Sequence, residues 1–144
     1  MMLIKQLSVF VENRPGRLSE ITGVLRDAKV DIRALTIADT TDFGILRLIV
    51  DNPEKAQAAL REAKLTVSIT SVIGVRLPDA PGGLCGALEA LRDADVSVEY
   101  CYAFISHSSN DAHVILRVDQ AQKAIDTLGA AGYQFLAADK LYNR

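Results

Sequence analysis

The chain has 144 residues, 49% hydrophobic and 24% charged, enough apolar material for one ordinary domain or two very small ones sharing a core. Sixteen basic against eighteen acidic residues leave a formal charge of −2, which argues against nucleic acid, whose partners carry a basic stripe. No stretch reaches the roughly 18 uninterrupted apolar residues of a membrane span, and Met1–Leu7 lacks the order of a signal peptide, so a cytoplasmic chain without a membrane partner is expected.

Ile4 to Val11 alternates apolar and polar, with Ile4, Leu7, Val9 and Val11 as inward positions, and reads as a half-buried strand. Glu12-Asn13-Arg14-Pro15-Gly16-Arg17-Leu18 follows as a strand-to-helix turn. Leu18, Ile21, Val24, Leu25 and Ala28 then keep helical spacing, and Gly23 is expected to let this helix lie close to a sheet. A second strand runs from about Asp31 to Ala38, a polar turn takes Asp39 to Asp42, and a third strand covers Phe43 to Val50. Asp51-Asn52-Pro53-Glu54 opens a second helix with an Asp or Asn cap and an early proline. Its stripe is Ala56, Ala59, Leu60 and Ala63, and a fourth strand begins at Leu65.

The order β-α-β-β-α-β then repeats. Leu25-Arg26-Asp27-Ala28 returns as Leu91-Arg92-Asp93-Ala94, 66 positions on, and Pro15-Gly16 as Pro81-Gly82 at the same displacement. Lys55-Ala56 matches Lys123-Ala124 at 68 positions, so the second copy has gained two residues, expected in the Ser106–Asp111 turn. A repeat of this length suits a split β-α-β module better than a solenoid unit. No linker separates the copies: Ser68 to Leu77 reads as one strand leading from the first into the second, with a bend at Gly74. Fixed packing of the halves and exchange of a strand both fit that continuity.

The turns carry the chemistry. Proline fixes φ, and the following glycine permits a tight turn that a ligand can approach closely. Backbone amides at a helix start, favoured by the helix dipole, suit an anion. Both turns are therefore read as carboxylate-binding. Cys85 on a helix face and Cys101 in a strand lack redox or zinc spacing and read as small core residues. His107 and His113 could join Cys101 around a metal only with a second cluster, which is missing, so they read as surface histidines and neither a metal nor a cofactor is expected. No Ser/His/Asp or Cys/His constellation and no Gly-Lys-Ser/Thr loop supports an enzyme, and Gly82-Gly83-Leu84-Cys85-Gly86 lacks the context of a dinucleotide turn.

The strand ending Glu12-Asn13-Arg14-Pro15-Gly16-Arg17-Leu18, the helix ending Ala28-Lys29-Val30-Asp31-Ile32 and the strand beyond resemble the ACT domain, a regulatory module that binds amino acids. The resemblance covers nearly the whole chain as two copies, 1–70 and 71–144, the second carried by the looser Pro78-Asp79-Ala80-Pro81-Gly82-Gly83-Leu84. It implies an α+β protein of two ferredoxin-like modules, side by side with an eight-stranded antiparallel sheet and helices on one face, and an effector amino acid at their seam. The family's ligand-contacting positions fall on Asn13 and Asp31 in the first copy and on Asp79 and Ser97 in the second. Amides around Gly16 to Leu18 and Gly82 to Leu84 would hold the carboxylate. Ile32, Leu35, Val98 and Tyr100 would line the side-chain pocket. Across a seam Asn13 would face Ser97 and Asp79 would face Asp31, so two unequal pockets are expected.

Simpler roles stand beside these. Asn13 and Asp79 suit helix caps, Asp31 and Ser97 suit a helix–strand turn, Arg14 and Arg17 suit solvated charges, and the Pro-Gly turn could serve the fold alone. The leading expectation is a non-enzymatic amino-acid-sensing regulatory protein whose partners are a free amino acid and either a second copy or an enzyme of amino-acid metabolism. The alternative is a regulatory subunit that docks such an enzyme without binding ligand.

Overall fold

The computed structural model describes residues 3–39, 43–105 and 111–139. The elements are β1 (Leu3–Glu12), α1 (Arg17–Asp27), β2 (Ile32–Asp39), β3 (Phe43–Val50), α2 (Pro53–Glu62), β4 (Val67–Pro78), α3 (Gly83–Asp93), β5 (Val98–Ile105), β6 (Asp111–Val118), α4 (Ala121–Ala130) and β7 (Gln134–Phe135). Two compact units divide the chain at Thr70/Ser71, with Ile4 grouping with the second.

In the first unit the hydrogen-bonded strand order is β4-β1-β3-β2, and in the second it is β7-β4-β6-β5. Each is a ferredoxin-like order. The described residues contain seven strands rather than the expected eight, because β4 ends the first unit and begins the second. One continuous strand thus does the work that two would do in separate modules.

Each unit buries its own core. Leu7, Val9 and Val11 of β1 pack with Leu46 and Leu48 of β3, Ile21 and Leu25 of α1, and Ala56 and Leu60 of α2. The second core repeats this with Ile73, Val75, Leu77, Leu116, Leu91 and Leu128. Registers keep the repeat: Leu35 lies opposite Leu48, and Cys101 opposite Leu116. The two added residues therefore fall between β5 and β6; the turn expected to carry them, like the one at 40–42, lies outside the described residues.

The helices stop in the same way. Lys29, Lys64, Asp95 and Gly132 all take positive φ, and Val30, Leu65, Val96 and Tyr133 donate back to Leu25, Leu60, Leu91 and Leu128. This closes the last helical carbonyls in a Schellman arrangement. Helix α2 starts as expected, with the Asn52 side chain accepting from Lys55 N at 3.2 Å and Pro53 in the first turn.

Three sequence expectations are corrected. Cys85 is exposed because α3 buries Ala87 and Leu91, leaving its Sγ to donate to Glu89 at 3.2 Å. Cys101 is exposed too, on β5, which among the described residues has one strand neighbour, β6. A Cβ on Gly23 would come near only Arg26, at 3.8 Å, so that glycine does not serve close sheet packing. Gly74 does: a Cβ there would fall 2.8 Å from Ile4 Cδ1 and 2.9 Å from Leu136 Cδ1.

Candidate functional site

The first Pro-Gly turn is closed by Arg14 N donating to Glu12 O at 3.0 Å and Arg17 N to Arg14 O at 3.3 Å. Gly16 takes φ 85°, the left-handed region that a Cβ disfavours, and serves as the N-cap of α1. Having no side chain, it makes no side-chain cap bond, so the capping role expected of Asn13 belongs to a glycine instead. The amides of Leu18 and Ser19 find no backbone acceptor among the described residues. They leave the positive end of α1 open to an acceptor.

Beside them lies a cleft of about 170 Å³. Val11, Leu18 and Ile37 give it an apolar wall and Gly44 a floor without a side chain, while Glu12, Asn13, Arg14 and Arg17 supply the polar rim. Three strands and a helix contribute, so the cleft exists only once the first unit is folded. Leu18, on the apolar stripe of α1, is 42% exposed, and Ile37 is equally so. Ile37 lies opposite Leu46 on the core side of edge strand β2, at its uncovered end.

Arg17 is not an ordinary solvated charge. Its side chain is only 20% exposed and Nη1 donates to Glu20 Oε2 at 2.7 Å, while Arg14 reaches the other Glu20 oxygen at 3.5 Å. These guanidinium contacts, the Arg17 hydrogen bond first, hold the Glu20 carboxyl below the usual range. Arg17 Nε is buried and has no acceptor among the described residues. A buried donor in that state costs about 1–3 kcal/mol.

The other candidate residues are placed elsewhere. Asp31 N donates to Asp51 Oδ1 at 2.9 Å, Asp51 N donates to Asp31 O at 3.0 Å, and Asp31 pairs with Arg33. In the second unit Ser97 N donates to Asp119 Oδ1 at 3.0 Å and Asp119 N to Ser97 O at 3.1 Å. The same lock thus joins a helix–strand turn to the end of a neighbouring strand in both units. Within the first unit Asp31 and Ile32 stand at the opposite end of β2 from Ile37, about 16–20 Å away at 3.3 Å per residue. They do not share the cleft. Ile32 and Val98 pack against their cores, Leu35 is 53% exposed, and Tyr100 is partly buried. Local sequence marked Asp51 only as a possible helix cap and did not mark Asp119; their recurrence at the 68-residue displacement was the available signal for the lock.

The second turn repeats the backbone but not the surroundings. Gly82 takes φ 86° and caps α3, and Ala80 N donates to Pro78 O at 2.9 Å. Asp79, Ala80, Pro81 and Gly83 complete the turn, and Leu84 is exposed like Leu18. Among the described residues no cluster could hold a metal ion. His113 instead meets Phe104 edge-on, ring centroids 5.2 Å apart, while His107 lies outside the described residues. No helix among the described residues is long and apolar enough to cross a membrane.

A small amide-rich turn on a split β-α-β unit, present twice, defines the class, and comparison with known proteins agrees. The family profile of the ACT domain pair matches residues 2–143, and the chain belongs to that family. A crystal structure of a protein from Bacteroides thetaiotaomicron is 42% identical, covers 99% of this chain and 98% of its own, and superposes with a TM-score of 0.93. The regulatory subunit of aspartate kinase from Thermus thermophilus, in ligand-free form, shares the fold at 15% identity and a TM-score of 0.64, covering 90% of this chain and 94% of its own. The corresponding subunit from Thermus flavus does so at 11% identity and 0.64, covering 91% and 94%. No match was found among curated protein sequences.

Proposed function

We propose that this chain is a non-catalytic regulatory protein that senses a free amino acid, taking its carboxylate at the first turn. ACT domain pairs are typical of amino-acid-sensing regulatory proteins. The observation that carries the reading here is the cleft that brings together the start of α1 at Leu18, the partly buried Arg17 and the apolar side chains of Val11 and Ile37. Amides and guanidinium suit a carboxylate and Glu12 an ammonium. A volume of about 170 Å³ is below the roughly 300–1,000 Å³ of drug-sized pockets, so a small aliphatic amino acid fits better than a large cofactor.

The test is a thermal-shift panel of the twenty standard L-amino acids on wild type and Arg17→Ala. A ligand at 100 times its Kd stabilises by about 2.7 kcal/mol, or about 5–10 °C for a chain of this size. One or a few amino acids should raise the wild-type Tm, and Arg17→Ala should lose most of that rise. A flat wild-type panel refutes sensing.

A second reading is favoured by the other side of the first unit. Phe10, Phe43 and Ile45 are 45%, 47% and 37% exposed there, with the two rings 5.0 Å apart. An apolar face of this kind suits docking to a protein such as an enzyme of amino-acid metabolism. A flat panel together with a stable enzyme complex lost on Phe10→Ser would favour that reading.

A further inference from the structure

We infer that each chain holds one carboxylate site, in the turn between β1 and α1, and that the matching turn between β4 and α3 is a self-closed copy that takes no ligand. The inference rests on the reading of the first turn as a carboxylate site, and it adds the stoichiometry and the residues that set it.

The decisive position is the first residue of each helix. In the first unit it is Arg17, which carries a Cβ and a long cationic side chain. In the second it is Gly83, where a built Cβ would fall 2.3 Å from the carbonyl oxygen of Pro78 and 3.4 Å from its carbon. No real Cβ tolerates that distance from backbone, so the corresponding Glu12 carbonyl must stand farther back from Arg17. A strand-end carbonyl therefore lies against the first residue of α3, in a turn whose backbone hydrogen bonds otherwise match those of the first. That oxygen brings partial negative charge to the place where helix amides would otherwise attract an anion.

The side chains change in the same direction. Arg14 and Arg17 are replaced by Ala80 and Gly83, so the second turn has no cation of its own, and Asn13 is replaced by the anionic Asp79. Ile37 is replaced by Ala103, the residue opposite Val114 as Ile37 is opposite Leu46. Gly44 is replaced by Ala112, which lies opposite Leu77 as Gly44 lies opposite Val11. The guanidinium groups, the Ile37 part of the wall and the open floor are thus lost together, while Leu77 and Leu84 keep apolar side chains where Val11 and Leu18 stand. Glycine remains at the N-cap of both turns because both backbones need the left-handed conformation there. That glycine therefore reports the turn, and the arginines report the site.

The full chain, labelled with ¹⁵N, can be titrated with each of the twenty standard L-amino acids and read at the amides of Leu18, Ser19, Leu84 and Cys85. The expected result is that at least one amino acid shifts Leu18 and Ser19 saturably at one equivalent per chain, while Leu84 and Cys85 stay in place. Arg17→Gly should weaken that binding about tenfold or more, the loss expected for a charge-assisted hydrogen bond, and leave Leu84 and Cys85 still unresponsive. Saturation at two equivalents with all four amides moving would overturn the one-site inference and leave amino-acid sensing standing. Movement of Leu84 and Cys85 alone would overturn both, and an unresponsive first turn with every amino acid would overturn the carboxylate-site reading from which the inference starts.

Discussion

Gly83→Ala tests the closure of the second turn without any ligand. The added methyl would lie 2.3 Å from the Pro78 carbonyl oxygen, and the obstacle is backbone rather than the end of a flexible side chain. The helix start or the strand end must therefore move by more than half an ångström, a strain in the class of overpacking substitutions that cost about 1–3 kcal/mol. Alanine returns about 0.4–1 kcal/mol by restricting the unfolded chain. The net expectation is a destabilisation of about 1–2 kcal/mol, or about 3–6 °C in Tm for a chain of this size. Gly129→Ala is the matched control. It makes the same chemical change inside α4, where the nearest atom to the new Cβ, Phe135 Cε2, is at an ordinary 3.7 Å, so it should stabilise by about 0.5–1 kcal/mol. Urea midpoints of the three proteins read the difference. Equal midpoints for wild type and Gly83→Ala would show that the Pro78 carbonyl does not rest on the helix start, and the self-closed second turn would fall with it.

Asp51→Ala removes the acceptor of Asp31 N and should cost about 1 kcal/mol, with Asp51→Asn, which keeps an acceptor, losing less; equal losses in urea melts would mean the 2.9 Å contact contributes nothing as a hydrogen bond. Lys64→Gly should gain about 0.5 kcal/mol, since a left-handed conformation at φ 64° costs an L side chain about 1–2 kcal/mol and glycine gives back part of that in entropy. Loss of stability in that variant would place the Lys64 side chain among the structural contacts. Burial first, then the Arg76 charge, lowers the His113 pKa from 6.5, against a smaller opposing effect of Asp111. The unfolded chain therefore binds the proton more readily, and stability present above pH 6.5 is lost as pH falls below it. Urea midpoints between pH 7.5 and 5.5 should fall less in His113→Gln than in wild type; parallel profiles would reject the linkage.

Most of the fold was legible because it depends on short-range signals that the repeat states twice. Alternation in Ile4 to Val11, the caps around Asn52 and Pro53, and the 66-residue return of Pro15-Gly16 identified elements and module together. The count of eight strands came from the family resemblance, whereas Ser68 to Leu77 itself reads as one strand, and β4 serves both units. The cleft was half legible. Asn13, Arg14, Arg17 and Leu18 are contiguous with the motif, but Val11, Ile37 and Gly44 join them only through the pairing of β1, β2 and β3. The exposure of Leu18 follows the same logic, since helical spacing marks a face and not how far the sheet beneath it extends.

The duplication also sorts structural residues from functional ones. A feature kept in both units at matching positions is explained by what both must do, which is fold. Gly16 and Gly82 share φ within a degree, Asp51 and Asp119 lock the same joint, and Lys29 and Asp95 end α1 and α3 with the same left-handed residue despite opposite charge. Recurrence of the Pro-Gly turn thus speaks for the fold, while Arg14, Arg17 and Ile37, which appear in one unit only, have no counterpart needed for folding in the other. The fold accounts for a glycine in both turns but not for a partly buried arginine whose Nε is left without an acceptor in one of them. What remains after the fold is subtracted is a pair of arginines, the Ile37 side chain and a glycine floor beside one helix start, the complement of a small amphipathic carboxylate.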